Sequence, residues 1–213
     1  MESACVQKKQ KMVKQVCQYL CLLMTAWLCG CTGKNISGNY YEKHKSGLDS
    51  IEISYKKLYH QKPFTLAFTD KSFNTVSLEI ITDSMSYIYE FDAAEKRLSD
   101  TLNKFNFQTV EIKTLIKTMQ RIRCTWVNNF DYYVDDKKHH LIFMSIKPLG
   151  FRYPFMPVKY YILAFFFEPQ SFDDKGRLLD TEGRKRLRKI NDAVFRKIET
   201  SGRICYTIGE KYR

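Results

Sequence analysis

The sequence lacks an apolar run long enough to cross a bilayer. Its most apolar early stretch, Val16–Leu28, has about 13 residues before Gly30, Gly33, Lys34 and Asn35 close it. A spanning helix needs about 20 residues to cover roughly 30 Å of hydrocarbon. The motifs GxSxG and HExxH, a phosphate-binding loop and a dinucleotide fingerprint are all missing, so the enzyme classes they mark are not signalled and no catalytic residue is assigned. There is no CxxC spacing, which removes the commonest zinc and redox sites; no metal or cofactor is expected. There is no internal repeat and no low-complexity tract.

What is present argues for one folded domain. A chain of 213 residues has room for a real core, and 44% hydrophobic with 15% aromatic content is too apolar for a disordered chain. The formal charge of +12 favours anionic surroundings such as lipid head groups or acidic polysaccharide, or simply keeps the surface solvated.

The start of the chain carries its clearest pattern. Lys8, Lys9, Lys11 and Lys14 give a positive lead to the apolar run, followed by Leu28-Cys29-Gly30-Cys31. This order is that of an export signal. It resembles the lipobox of bacterial lipoproteins, in which a branched apolar residue and two small ones precede an invariant cysteine. The resemblance covers only about the first 33 residues, and Cys29 departs from the commoner Ala, Ser or Thr. It implies a thioether between the Cys31 sulfur and diacylglycerol, cleavage before Cys31 and acylation of the new amino terminus. Met12 offers a second start, with a compact signal before Cys31. The rival readings of the stretch are a buried helix of a soluble protein and an uncleaved single-pass anchor.

On the lipoprotein reading, residues 1–30 form the signal peptide, 31–47 the lipidated cysteine and a flexible tether, and 48–213 the single domain. The tether is expected because 32–47 is polar and holds three glycines. It has no acidic residue before Glu42, which leans toward the periplasmic face of the outer membrane. Removing 1–30 discards four lysines and one glutamate and leaves +9. Only Cys124 and Cys205 then remain in the domain; in an oxidising compartment they either pair as a disulfide or stay as two buried thiols. No nucleic-acid partner is expected for an exported chain.

Along the domain, Leu48, Ile51, Tyr55 and Leu58 share a helical face, so a helix is expected over 50–60, with a strand as rival. Phe64–Asp70, Thr75–Thr82 and Ser86–Phe91 are β-rich runs separated by turn residues, a meander. Asp92 is expected to cap a helix striped by Ala94, Leu98, Leu102 and Phe105, and Ile112, Leu115, Ile116, Met119 and Ile122 stripe a second. Leu141–Ile146 and Val158–Phe167 are continuously apolar and are expected as neighbouring central strands, buried on both faces. Phe172–Gly176 reads as a turn and Arg177–Leu179 as a short extended piece. From Asp180 or Thr181 a helix is expected, striped by Leu187, Ile190, Val194 and Ile198 and stopped by Gly202. Arg203–Ile208 returns as the last strand. The fold class is α+β, mostly antiparallel sheet with helices mainly on one face.

Four clusters are candidates for sites. Ser171, Asp173, Lys175, Gly176 and Glu182 have the spacing of an EF-hand loop, but a lysine at the fifth position sets a cation against calcium. His139-His140 beside Asp135-Asp136 has metal-binding residue types, yet adjacent strand residues face opposite ways. Arg184, Lys185, Arg188 and Lys189 give the expected last helix a basic surface suited to anionic lipid or to solvent. Phe151, Tyr153, Phe155 and Met156 form an aromatic cluster among prolines, fit for a sugar, a partner or the domain itself. Taken together, these features point to a lipid-anchored envelope protein acting as a binding or assembly accessory, its partner an envelope protein or an anionic glycan or lipid. A hydrolase of envelope polysaccharide or peptide is the alternative, and a component of a secretion or conjugation apparatus the third.

Overall fold

The computed structural model describes residues 32–134, 137–148, 157–179 and 194–210. The chain forms two compact units, Met1–Ile36 and Ser37–Arg213. Of the first, only Thr32–Ile36 is described, as helix.

Helix α1, Thr32–Gln61, overturns the expected flexible tether over 32–47. The stripe that marks Leu48, Ile51, Tyr55 and Leu58 extends back through Tyr41 to Ser37, and all six are buried. The Tyr40 hydroxyl donates to the Ile122 carbonyl at 2.6 Å, and that of Tyr41 to Glu199 at 3.0 Å. Gly47, one of the glycines that suggested slack, is there for close packing: a Cβ on it would lie 2.7 Å from Ile122 Cγ2. The helix bends at His44 (φ −118°, ψ 15°).

Three strands follow, β1 (Phe64–Phe68), β2 (Thr75–Ile81) and β3 (Ser86–Asp92), paired as a meander. Asp70 closes the first turn by accepting from the Asn74 and Thr75 amides and from Ser72, contacts that hold its carboxyl down at about 2, with Ser72 the largest cause. Helix α2 (Lys96–Lys104) buries Leu98 and Leu102, but its N-cap is Glu95, three residues later than Asp92 suggests. The Asp92 carboxylate instead accepts from the Ala94 amide, an Asx turn that leaves Ala94 exposed. Helix α3 (Thr109–Ile122) buries the five expected residues.

The chain then crosses back over β2 and β1 to lay β4 (Trp126–Val134) against β1. From there β5 (Lys137–Pro148), β6 (Tyr160–Phe166), β7 (Arg196–Lys197) and β8 (Ile204–Gly209) complete an eight-stranded antiparallel sheet of order β3-β2-β1-β4-β5-β6-β8-β7. β5 and β6 are neighbours, as expected. The join at β1/β4 is narrow, Leu66 opposite Val127 and Ala67 opposite Trp126. The expected helix does not extend over 194–198: Phe195 is buried against Phe143 and Phe166 and the next two residues pair with β8, while 180–193 lie outside the described residues. Gly202 (φ +72°) turns the chain into β8 rather than stopping a helix.

The helices gather on one face of the sheet. On the other, Trp126, Phe143, Ile162, Phe166 and Cys205 form a second apolar layer with Phe195, Phe172 and Leu178. Glu52 on α1 bonds Arg203, which precedes β8, tying the first helix to the last strand. Burial raises the Glu52 carboxyl above its ordinary pKa against the opposing pull of that guanidinium.

Candidate binding cleft beside the first helix

Helix α1 turns Tyr55 and Leu58 inward and leaves Ile53, Lys56, Lys57 and His60 facing out. Tyr55 is fixed by a hydrogen bond from its hydroxyl to the Phe64 carbonyl and by its ring against Phe64, with centroids 5.0 Å apart. Opposite this half of the helix stand Asn129 of β4, His140 and Ile142 of β5, and Phe167 just after β6. Between them lies a cleft of about 740 Å³. Such a volume is within the range of small-molecule sites. Its walls are chiefly apolar: Ile53, Pro63, Ile142, the Phe167 ring and the faces of Tyr55 and Tyr59.

The polar corner of the cleft is built by the β4/β5 hairpin, whose register sets Asp131 opposite His140 and Tyr132 opposite His139. Asp131 Oδ1 lies 2.7 Å from His140 Nδ1 and accepts from Asn129 Nδ2 at 2.9 Å, while Oδ2 meets Lys138 Nζ at 2.7 Å. Burial pushes the Asp131 carboxyl up, but the hydrogen bonds from Lys138 and His140 outweigh it, and its pKa falls below the ordinary carboxylate value. An ionised Asp131 fixes the hydrogen of a neutral His140 ring on Nδ1 and leaves Nε2 as an acceptor. Tyr59 has its phenol pKa raised by burial and by the nearby Asp131, with a hydrogen bond to Asn129 opposing. At the rim, the Lys56 ammonium sits 3.8 Å from the centre of the Phe167 ring, a cation–π contact.

The two histidines are separated as strand alternation requires. His140 shares the helix side with Asp131, whereas His139 stacks on Tyr132 with centroids 5.3 Å apart and lies 3.3 Å from Glu168. Asp135 and Asp136 lie outside the described residues. Among the described residues no three His, Cys, Asp or Glu side chains converge to hold a metal. Asp173 of the EF-hand-like run spends Oδ1 on the Lys175 and Arg177 amides, making a plain turn with Gly176 at φ +70°; Glu182 lies outside the described residues.

Cys124 and Cys205 do not form the disulfide that was one of two expectations: both thiols are free and buried. Cys205 faces Ala164 on β6, which faces Phe143 on β5, which faces Asn128 on β4. Three strand spacings of about 4.8 Å separate it from the strand that Cys124 leads into, far beyond the Cα separation of about 4.4–6.8 Å that a disulfide spans. Burial pushes each thiol up to about 12. Cys31, the basic residues Arg184, Lys185, Arg188 and Lys189, and the aromatic residues Phe151, Tyr153, Phe155 and Met156 lie outside the described residues. Among the described residues no helix is long and apolar enough to cross a membrane.

Asp131, Asn129, Tyr59 and Lys56 were not singled out in the sequence. Residues 126–134 read WVNNFDYYV, and Asn128, Asn129 and Asp131 mask a strand that is otherwise aromatic and β-branched. The chain matches no protein-family model, no curated protein and no solved structure.

Proposed function

We propose that the chain is a lipid-anchored protein of the cell envelope, facing the periplasm from the outer membrane, whose packed domain binds a ligand or partner without transforming it. The cleft beside α1 carries the binding half of this reading. Its walls are chiefly apolar, and among the described residues its lining holds no serine or cysteine to act as a nucleophile. The anchoring half rests on the Leu28–Cys31 pattern. Acyl chains contribute about 0.8 kcal/mol per buried methylene, so two or more hold the protein on the membrane, where even a weak contact gains from the raised local concentration.

Growth with a labelled fatty acid tests the anchor. The expected outcome is label on the wild type, none on Cys31→Ser, and a mature terminus at Cys31; an unlabelled wild type sinks the envelope reading. A second reading, a hydrolase, is favoured by one observation, the His140–Asp131 pair at the cleft wall. Such a pair orients an imidazole for proton transfer. Degradation of envelope polysaccharide or peptide by the purified wild type, and not by Asp131→Asn, selects the hydrolase over the binding protein.

A further inference from the structure

We infer that the cleft between α1 and the β4/β5 hairpin takes one long-chain carboxylate, a free fatty acid, with its tail along Ile53, Tyr59, Ile142 and Phe167 and its head at Lys56. The inference rests on the binding reading and gives it a ligand class.

The tail follows from what the walls leave unsatisfied. Ile53 is 70% exposed on the helix face that borders the cleft. A sugar would need donors and acceptors for each hydroxyl, and of the two amides in the lining Asn129 is already bonded to Asp131 and Tyr59 and Gln61 to Gln108. An alkyl chain asks for none and covers apolar surface at about 25 cal/mol per Å².

The head follows from charge. The carboxylates around the cleft are already engaged: Asp131 by His140 and Lys138, Glu111 by Lys57, Glu168 by His139 and Glu52 by Arg203. The Lys56 ammonium is different. Its close contact is the Phe167 ring; Glu52, one turn earlier on α1, feels its charge at a distance, but among the described residues no carboxylate lies within ion-pair distance of it. Of the two lysines in the lining, Lys57 is neutralised by Glu111, so the single cation left without an ion pair among the described residues, at the edge of an apolar trough, matches a monovalent head on a single chain. A folded second copy or a helix would bring its own polar backbone and a far larger surface than the trough receives.

The experiment uses the full chain, a dansyl-labelled undecanoic acid and the methyl ester of the same probe. The expected result is saturable, blue-shifted fluorescence at one acid per chain, with the ester binding about tenfold or more weakly. Lys56→Gln is expected to bring the acid down to the level of the ester without changing the ester. Ile53→Glu, at an exposed position that leaves the fold intact by circular dichroism, is expected to weaken both by tenfold or more. Equal binding of acid and ester, no saturable binding, no effect of Ile53→Glu, or binding to anionic phospholipid vesicles without binding of the monomeric acid each overturns the inference. Cys31→Ser is carried through the same titration. Unchanged probe binding in that variant leaves the cleft assignment standing whether or not Cys31 is acylated, so the two failures are told apart.

Discussion

The two halves of the sheet are built to different rules. In β2 burial alternates: Val76, Leu78 and Ile80 are buried, while Thr75, Ser77 and Glu79 between them are half-exposed. In β6 every residue from Tyr161 to Phe166 is buried, and in β5 every residue from Leu141 to Ile146. Helices cover one face of both halves; among the described residues the far-face layer, made in part by Phe172, Leu178 and Phe195, lies over β4–β5–β6–β8 and reaches Ala67 of β1, the strand at the seam, but not β2 or β3. The number of layers over a strand is therefore written in its side-chain period: two for a strand covered once, none for a strand covered twice.

The largest expected effect strikes the doubly covered half. Phe143 packs between Phe130 and Phe195, with ring centroids 5.8 and 6.1 Å away, and is fully buried. Phe143→Ala is expected to cost about 3–5 kcal/mol in urea unfolding. A paired test then compares adjacent residues. In β6, Ile162→Ala and Leu163→Ala should each cost about 2–5 kcal/mol, since both are fully buried on opposite faces. In β2, Leu78→Ala should cost a similar amount, and Ser77→Ala should stay within about 0.5 kcal/mol. A mild Ile162→Ala, or an expensive Ser77→Ala, breaks the comparison.

The thiols sharpen it further. Cys205 lies in the doubly covered half and Cys124 at the seam, both with pKa pushed up to about 12 by burial. Between the ordinary thiol value of about 8.5 and that raised value, the unfolded chain has lost a proton that the native chain keeps, so stability falls as pH rises. The expected slope is about 1.4 kcal/mol per pH unit for each thiol. Urea midpoints from pH 8 to 10, compared with Cys205→Ala, measure it. A wild type no steeper than the variant removes the claim that this half is closed to water.

Period explains what the sequence revealed and what it hid. The meander, the two helical stripes and the paired apolar strands were legible because each repeats one spacing over several residues. β4 was not: Asn128 is buried in it against the Thr65 hydroxyl, while Asn129 and Asp131 on the other side bond each other at the cleft, so three polar residues break the pattern for two separate reasons. The start of α1 was hidden for another reason, since Gly47 serves a tight approach to Ile122 and its composition mimics a linker. The fate of 194–198 depended on the pairing with β8, a partner distant from any local signal. The cleft itself joins residues from 53 to 167, and no spacing announces such a meeting.

The smallest effect belongs to β3, where the singly covered half ends. Its Ile88 is 55% exposed, its outer edge has no neighbouring strand among the described residues, and Phe91 is its one buried residue. Ile88→Lys should therefore change stability by no more than about 0.5 kcal/mol, since no cavity forms and no buried group loses a partner. The same exposure governs opening. Amides that β3 shares with β2 have one apolar layer above them and solvent beside them, so they should exchange through local opening. Those of β5 and β6 lie under two layers between two neighbours, and their exchange should require global unfolding. Hydrogen exchange at low urea separates the cases, because local opening exposes little surface and responds weakly to denaturant, whereas global opening follows the full slope. If β3 and β6 amides share one slope and one free energy, the sheet opens as a single unit, and the layer difference has no bearing on how it comes apart.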